Sequence, residues 1–486
     1  QTVDIDMYTE CFILFDECEK LVQDVHYRDS IREPMNDFFR FQNKALISAT
    51  PIVPEKDSRF DGFMRVLIQP DYVYRQKLKL ITTNNVLETL QEVIEAKRGT
   101  VCIFCNSIDS IDSFYRLIPE LSNACTFCSE DGQYKLWKGN RRKKSMMITE
   151  LERYNFFTSR FYSAVDILCK NPPHVIFVSD LYGAAQSVID PATEAIQIIG
   201  RFRGGVNSVT HIASIRPELE CMSSSEIDHW IQGASTIFNG WKAQLARTTN
   251  IGERTLLQEA IGENSYLPYL DENGKPDSFL IANFYEKEQV KRLYTSADLL
   301  HLAYEQTGYF VFSHEERLMP VSDNERMAIQ HRLAKKKRAE LIVRKLEEME
   351  KMSKATDKKI QKRYQRMLMN LITSTADRYI YDCFCRFGAE FVREADYNEN
   401  KLRTALNVSS EHTIKKSGQM RTYIQRAFPV GAEISVQEAK SMLRQVYKKM
   451  GLNTGRGITT KELEQYAEIE NSRNREARMI KILKHK

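Results

Sequence analysis

The sequence predicts an α/β fold over residues 1 to about 215, built on parallel sheet, followed by a mainly α-helical remainder. Two observations predict it. Short, mainly apolar runs recur at residues 11–15, 45–47, 101–104, 124–127, 175–178 and 209–215, with stretches of helical pattern between them. From about residue 216 the strand-like runs give way to helical periodicity, with a polar, turn-rich patch at 271–277. Runs without alternation suit parallel strands buried on both faces, and the helices between them supply the crossovers that parallel pairing needs.

The bulk composition narrows the class. Hydrophobic residues at 42% and charged residues at 28% match a globular protein and exclude a disordered, collagen-like or disulfide-scaffold chain. With 70 Lys and Arg against 65 Asp and Glu, the net charge of +5 is too small to name a partner. No apolar run reaches the ~18 residues of a membrane span, and the first residues lack a secretory pattern. A cytoplasmic protein with no membrane partner is therefore expected. Ten cysteines in 486 residues are too sparse for a disulfide framework and are expected as reduced thiols.

Taken in order, the first run ends in Asp16, Glu17, Cys18 and Glu19. A buried parallel strand closing on two acids delivers carboxylates to the carboxyl edge of the sheet, where open α/β folds bind ligands. There Asp16 suits a hydrated Mg²⁺ and Glu17 suits the orientation of an attacking water. The bland reading is a strand end with two solvated acids. The second run passes into Ser48, Ala49, Thr50 and Pro51, offering two hydroxyls. Phe156 and Phe157 lead into Thr158 and Ser159, with Ser163 to Asp166 close behind. Residues 195–205 (AIQIIGRFRGG) bring Gln197 and Arg201, four apart and on one face of a helix, and Arg203 at a glycine-rich exit. Guanidinium forks donate paired, permanently charged hydrogen bonds to phosphate. In isolation, that run fits an exposed basic turn or an RNA-binding patch equally well.

As an ordered set, DECE, SAT, TSRFYSAVD and QIIGRFRG resemble motifs II, III, V and VI of superfamily 2 helicases, the DEAD/DEAH-like ATP-driven nucleic-acid translocases. The resemblance covers roughly residues 1 to 215. It implies two RecA-like lobes, with ATP and Mg²⁺ in the cleft between them and nucleic acid across their upper face. By position, Asp16 and Glu17 would serve metal and water, and Ser48 and Thr50 would couple the lobes. Thr158 and Ser159 would touch the nucleic-acid backbone, and Asp166 would lie near the ribose. Gln197, Arg201 and Arg203 would face the phosphates. DNA ranks ahead of RNA as the substrate, and the helicase class suggests replication or mobile-element proteins as partners.

Three departures qualify the pattern. Glu19 stands where the family has Asp or His, Ala164 stands near the motif V glycine, and no G-x-x-x-x-G-K-[ST] occurs. Fifteen residues precede Asp16, too few for that loop with its strand and helix. The expectation is a partial first lobe, cut off from its P-loop, in a chain inactive by itself but belonging to an ATPase as the full-length parent. The alternative is a non-catalytic nucleic-acid-binding or scaffold protein that keeps the fold.

The organisation expected is a first-lobe remnant with linker over 1–80, a complete second lobe over 81–215 and a mainly helical accessory region over 216–324. A basic amphipathic helix over 325–370 and a helical C-terminal module over 371–486 complete it. Residues 325–368 hold 15 Lys and Arg against 6 Asp and Glu, with Ile342, Leu346, Met349 and Met352 at helical spacing. That pattern fits a solvated charged helix or a contact with nucleic-acid backbone. Ser435 with Glu438, and Thr459 with Glu462, fit capping boxes, and Gly451 fits a helix stop. The stretch between those helices exceeds a helix-turn-helix turn, which argues against DNA reading.

Cys102 and Cys105, and after nineteen intervening residues Cys125 and Cys128, have the spacing of a four-thiolate zinc site. Strand positions three apart point to opposite faces, however, so buried free thiols are the expectation. Trp230, Trp241 and Phe238 are expected in packing, and His26 at a surface or between lobes.

Overall fold

The computed structural model describes residues 6–26, 28–137, 143–148, 150–163, 165–329, 333–352, 358–452, 457–473 and 477–486. The chain divides into two compact units, Gln1–Met327 and Ala328–Lys486. None of the described helices is long and apolar enough to cross a membrane.

In the first unit, β1 (Phe12–Asp16) and β2 (Asn43–Ile47) form a two-stranded parallel sheet. A larger sheet follows from β3 (Gln76–Thr83), β4 (Val101–Phe104), β5 (Cys125–Phe127), β6 (Lys143–Ser145), β7 (Tyr154–Phe157), β8 (His174–Ser179), β9 (Ser208–Ser214) and β10 (Phe310–Arg317). Its order is β10-β3-β9-β8-β4-β7-β5-β6, and every pairing is parallel. The fold is thus mixed α/β with an all-parallel sheet. All four residues of β4 are fully buried, as a central strand covered on both faces requires.

Helices Val86–Glu95 and Ile108–Leu117 close one face, packing Leu90, Ile94, Ile111 and Phe114 against Ile103, Phe156 and Ile176. Each starts on a side-chain cap: Asn85 accepts from the Glu88 amide at 2.9 Å, and Ser107 from the Ser110 amide at 3.1 Å. The opposite face carries Phe104, Phe157, Phe177, Ile198, Tyr294 and Tyr304.

The large sheet reaches beyond the 81–215 span expected of it. β3 begins at Gln76, and β10 comes from the region expected to be an accessory. Pairing of β10 with β3 is tied by Lys79 Nζ to Glu315 at 2.6 Å. The rest of that region holds the small sheet. Helix Ser278–Leu293 packs Phe279 and Leu280 against Cys18, Leu21, Val22, Met35 and Phe38. Asn283 Nδ2 donates to the Val22 carbonyl at 2.8 Å, and Arg32 pairs with Asp277 at 3.1 Å.

The second unit begins with helices Lys335–Met352, Lys358–Ser374, Arg378–Glu394 and Glu399–Lys415. The single basic helix expected over 325–370 is divided among Asp323–Met327, Lys335–Met352 and Lys358–Ser374, with residues 330–332 and 353–357 outside the description. The reason is that the two longer pieces carry separate apolar stripes. Ile342, Val343 and Leu346 are buried in one, and Tyr364, Leu368 and Ile372 in the next, with Tyr364 Oη donating to the Lys345 carbonyl at 3.1 Å. Three of the four cations in the basic run at its start are paired inside the unit. Lys335 pairs with Glu399, Lys336 with Asp396 at 2.6 Å, and Arg338 with the buried Asp377 at 2.6 Å.

The C-terminal portion is less helical than expected. Helix Gly418–Ala427 leads to β11 (Glu433–Ser435), helix Val436–Lys449, a 3₁₀ turn at Thr460–Gln465, β12 (Ala467–Arg473) and β13 (Arg478–His485). The three strands form an antiparallel sheet ordered β11-β13-β12. Ser435 accepts from the Glu438 amide at 3.2 Å and starts its helix. The Thr459 and Glu462 capping box is present but holds the 3₁₀ turn. Gly451, at φ 71°, stops the helix: its amide donates to Lys448 O and that of Leu452 to Tyr447 O, the paired bonds of a Schellman end.

His211, on β9, is fully buried between Ser179 Oγ at 3.0 Å and Tyr304 Oη at 2.7 Å, and burial pushes its imidazole down to about 3. The unfolded chain binds a proton there below ~6.5 while the folded chain does not, so this residue's contribution to stability falls as pH drops from ~6.5 towards 3. The stability advantage of wild type over His211→Gln is expected to shrink by roughly 1.4 kcal/mol per pH unit below that point. Urea unfolding at several pH values checks this, and a constant difference would refute it.

Candidate functional site

The site forms where the ends of β1 and β2 meet helix Glu194–Gly200 of the larger assembly. After β1 the chain turns sharply. Glu17 takes a left-handed conformation at φ 54°, and its amide donates to Asp16 Oδ1 at 2.9 Å. That turn sends Glu19 inward, where it is fully buried at the head of the short helix Lys20–Gln23. After β2, Ser48 Oγ accepts from the Thr50 amide at 2.9 Å, and Thr50 is buried.

Gln197 reaches both. Its Nε2 donates to Glu19 Oε1 at 2.6 Å and to Thr50 Oγ1 at 2.9 Å. One amide therefore ties the end of each small-sheet strand to the helix that follows β8. Glu19 Oε2 and Gln197 Oε1 are buried without a hydrogen-bond partner among the described residues. The amide was expected to face phosphates; the structure instead buries it against Glu19 and Thr50.

Arg201 lies one helical turn beyond Gln197 and is mostly covered. Its Nη1 stands 3.7 Å from Glu17 Oε1, and its Nε donates to the Gln197 carbonyl at 3.1 Å. Arg203 points elsewhere: its Nε pairs with Asp166 Oδ1 at 2.9 Å on an exposed surface. Asp16 is exposed at the end of β1. The expected residues thus gather as Glu17 with Arg201, Glu19 and Thr50 with Gln197, Ser48 with Thr50, and Asp166 with Arg203. Ala164 lies outside the described residues.

Thr158 and Ser159, at the carboxyl end of β7, line a cleft of about 1090 Å³ that Glu17 borders as well. Thr158 is buried and Ser159 exposed. Ser107 and Ser129, beyond the ends of β4 and β5, complete a polar rim along this edge of the sheet. The placement follows the rule that open α/β sheets present ligand sites at the carboxyl ends of their strands.

The sequence reading missed the opposite wall. Lys20, Gln23, Asp190, Glu194 and Glu286 line it. Gln23 Nε2 donates to Thr193 Oγ1 at 3.0 Å and to Glu286 Oε1 at 2.8 Å, a second tie between the small sheet's helix and the rest. Desolvation raises the carboxyl of Glu286 to about 7 and that of Glu194 to about 8, and it raises Asp190 too. The run Asp190-Pro191-Ala192-Thr193-Glu194 carried a signal, since an acid before proline with a glutamate four residues on reads as a helix start. Glu286, mid-helix and far along the chain, carried none.

The cysteine pairs divide as the strand geometry requires. Cys102 and Cys125 pack with one face of the large sheet, and Cys105 and Cys128 with the other. Trp230 meets Tyr269 and Phe284 edge-on, and Phe238 meets Tyr266, so these aromatics pack internally. His26 lies edge-on to Tyr269.

No protein-family model matches the chain, and a comparison with curated proteins likewise returns no match.

Replacing Gln197 by Ala leaves the Glu19 carboxyl buried with its donor removed. A loss of about 2–3 kcal/mol in the stability of the first unit is expected from urea unfolding. A change under ~0.5 kcal/mol, the range of an ordinary surface substitution, would mean that the amide does not hold the two parts together.

Proposed function

We propose that the chain belongs to an ATP-dependent nucleic-acid helicase or translocase of superfamily 2, in which the small and large parallel sheets are parts of two RecA-like lobes. The observation that carries this reading is that helix Glu194–Gly200 and its exit approach two of the three acids at the first strand's turn: Arg201 stands beside Glu17 while Gln197 holds Glu19 and Thr50. An ion pair or a buried amide alone has many uses. Both on one helix, reaching the ends of two parallel strands, suit a device that senses whether two lobes are closed.

The residues present fit ATP and Mg²⁺. Asp16 offers an exposed carboxylate at a strand end, the hard oxygen ligand that Mg²⁺ takes, and Arg201 supplies a fixed cation for a phosphate. When bound, ATP supplies the terminal phosphoryl group and Mg²⁺ a cation that draws charge from it. Glu17 orients the attacking water and accepts its proton at Oε1, the atom now nearest Arg201. The Arg201 guanidinium donates to negative charge gathering on the phosphoryl oxygens. Arg203 joins it on release from Asp166, which is then free to accept from a ribose hydroxyl. Thr158 and Ser159, on the cleft rim, contact the backbone of the nucleic acid, with DNA ahead of RNA and a cytoplasmic setting.

The phosphate-cradling loop is proposed to come from outside residues 1–486. Phe12, Leu14 and Ile47 of the small sheet are 63%, 54% and 46% exposed, apolar surface that further strands and helices of a complete lobe would cover. The missing G-x-x-x-x-G-K-[ST] also favours a second reading, a nucleic-acid-binding or scaffold protein that does not hydrolyse ATP. In the protein carrying a complete first lobe, Glu17→Gln is expected to reduce nucleic-acid-stimulated ATP hydrolysis at least ~100-fold while leaving nucleotide affinity unchanged. Unchanged turnover, or no ATP binding by the wild type, would favour the second reading.

A further inference from the structure

Charge is unevenly placed along the chain. Residues 417–486 hold 14 Lys and Arg against 7 Asp and Glu, while the preceding 416 residues hold 56 against 58. The whole net positive charge of the protein therefore sits in the final segment, which has its own core of Met420, Ile424, Phe428, Leu443, Tyr447, Ile480 and Ile482.

Within it, helix Val436–Lys449 buries Ala439, Leu443, Val446 and Tyr447 on one side. Its other side presents Gln437, Ser441, Arg444 and Lys448 along one stripe, with Lys449 beside them, all exposed. Arg444, Lys448 and Lys449 form no ion pair among the described residues, in contrast to Lys335, Lys336 and Arg338 at the head of this unit. Lysine, arginine, serine and glutamine are the side chains that meet phosphate and sugar oxygens. Unpaired cations on a rigid helix keep their full attraction for a polyanion.

The segment's element order is helix, strand, helix, turn and hairpin, with β11-β13-β12 as the sheet, which is the order of a winged helix. The third helix of that arrangement, the one that reads bases in a major groove, is here the six-residue 3₁₀ turn Thr460–Gln465. Such a turn is too short to lie along a groove. Backbone contact without base reading is what remains.

We propose that the exposed side of helix Val436–Lys449 forms a sequence-independent binding surface for the phosphate backbone of a nucleic-acid duplex, centred on Arg444, Lys448 and Lys449. This surface belongs to the second unit and the cleft to the first, and it extends the nucleic-acid reading without depending on ATP hydrolysis.

The test measures binding of the full chain, without nucleotide, to short fluorescent DNA and RNA duplexes and to a single strand between about 50 and 200 mM salt. The variant Arg444→Glu/Lys448→Glu/Lys449→Glu should lose at least ~10-fold in duplex affinity at the lower salt, and the slope of log K against log salt should fall by about 2–3. The milder Lys448→Gln/Lys449→Gln should lose less in the same direction, with circular dichroism of both variants matching wild type. Loss on either duplex supports the proposal and identifies the nucleic acid. Unchanged affinity and slope on both duplexes would overturn it, as would an equal loss from Lys336→Gln, whose charge is already paired, or a loss confined to the single strand. Because no ATP is present, failure of the motor reading at Glu17 leaves this result unaffected.

Discussion

The arrangement of the first unit rests on how one buried carboxyl is satisfied. Glu19 is removed from water altogether, and an acid in that position needs a donor close by. Gln197 supplies it from a helix about 180 residues away in sequence, and the same nitrogen serves Thr50. Fixing that amide also fixes the rotation of its helix. Arg201, four residues on, can then only emerge on the side facing Glu17, and the 3.7 Å separation between them follows from the phase of the helix. Gln23 repeats the arrangement at a second point, bridging Thr193 and Glu286.

Two classes of polar group meet in the cleft. Its rim at the sheet's carboxyl edge is lined with hydroxyls, while the wall built by Asp190, Glu194 and Glu286 holds carboxyls whose burial favours the protonated form. In the motor reading, the first set meets the strand being moved and the second tunes the seam across which the lobes part. Positive charge follows a separate plan in the second unit. Cations on helix Lys335–Met352 hold the helices together, whereas Arg444, Lys448 and Lys449 on helix Val436–Lys449 are exposed and have no ion-pair partner among the described residues.

What the sequence made legible was what burial dictates. The runs at 101–104 and 175–178 are continuous because those strands sit inside the sheet, and 209–215, also inside it, mixes Val209, Ile212 and Ala213 with buried Thr210, His211 and Ser214; the structure has strands at each. β10 was missed because an edge strand is half solvated: its Ser313, Glu315 and Arg317 interrupt any apolar run, and β3 likewise carries Lys77 and Lys79. β12 and β13 alternate Glu or Lys with isoleucine, as a sheet with one wet face must, so their signal is alternation where continuous runs were sought. At the site, the turn of Asp16 to Glu19 and the helix of Gln197 and Arg201 were readable from short segments. The pairing of Gln197 with Glu19 was not, since it depends on two distant segments packing at one particular depth. The pairing of the charge run at 335–338 was not legible, because sequence shows cations but not the acids at 377, 396 and 399 that fold back onto Arg338, Lys336 and Lys335.

The distribution of thiols has a practical consequence. Of the ten cysteines, Cys11 in the first unit and Cys385 in the second are exposed, while Cys18, Cys102, Cys105, Cys125, Cys128 and Cys383 are enclosed. Burial raises the thiols of Cys18 and Cys383 to about 11, which keeps them inert towards alkylating reagents at neutral pH. Cys169 and Cys221 of the first unit are half-buried, and a hydrogen bond with Cys102 lowers the pKa of the Cys169 thiol, so a single readily labelled thiol exists only in the second unit, at Cys385. A maleimide dye would attach to the second unit at Cys385 without engineering, whereas labelling Cys11 alone in the first unit requires Cys169 and Cys221 to be replaced.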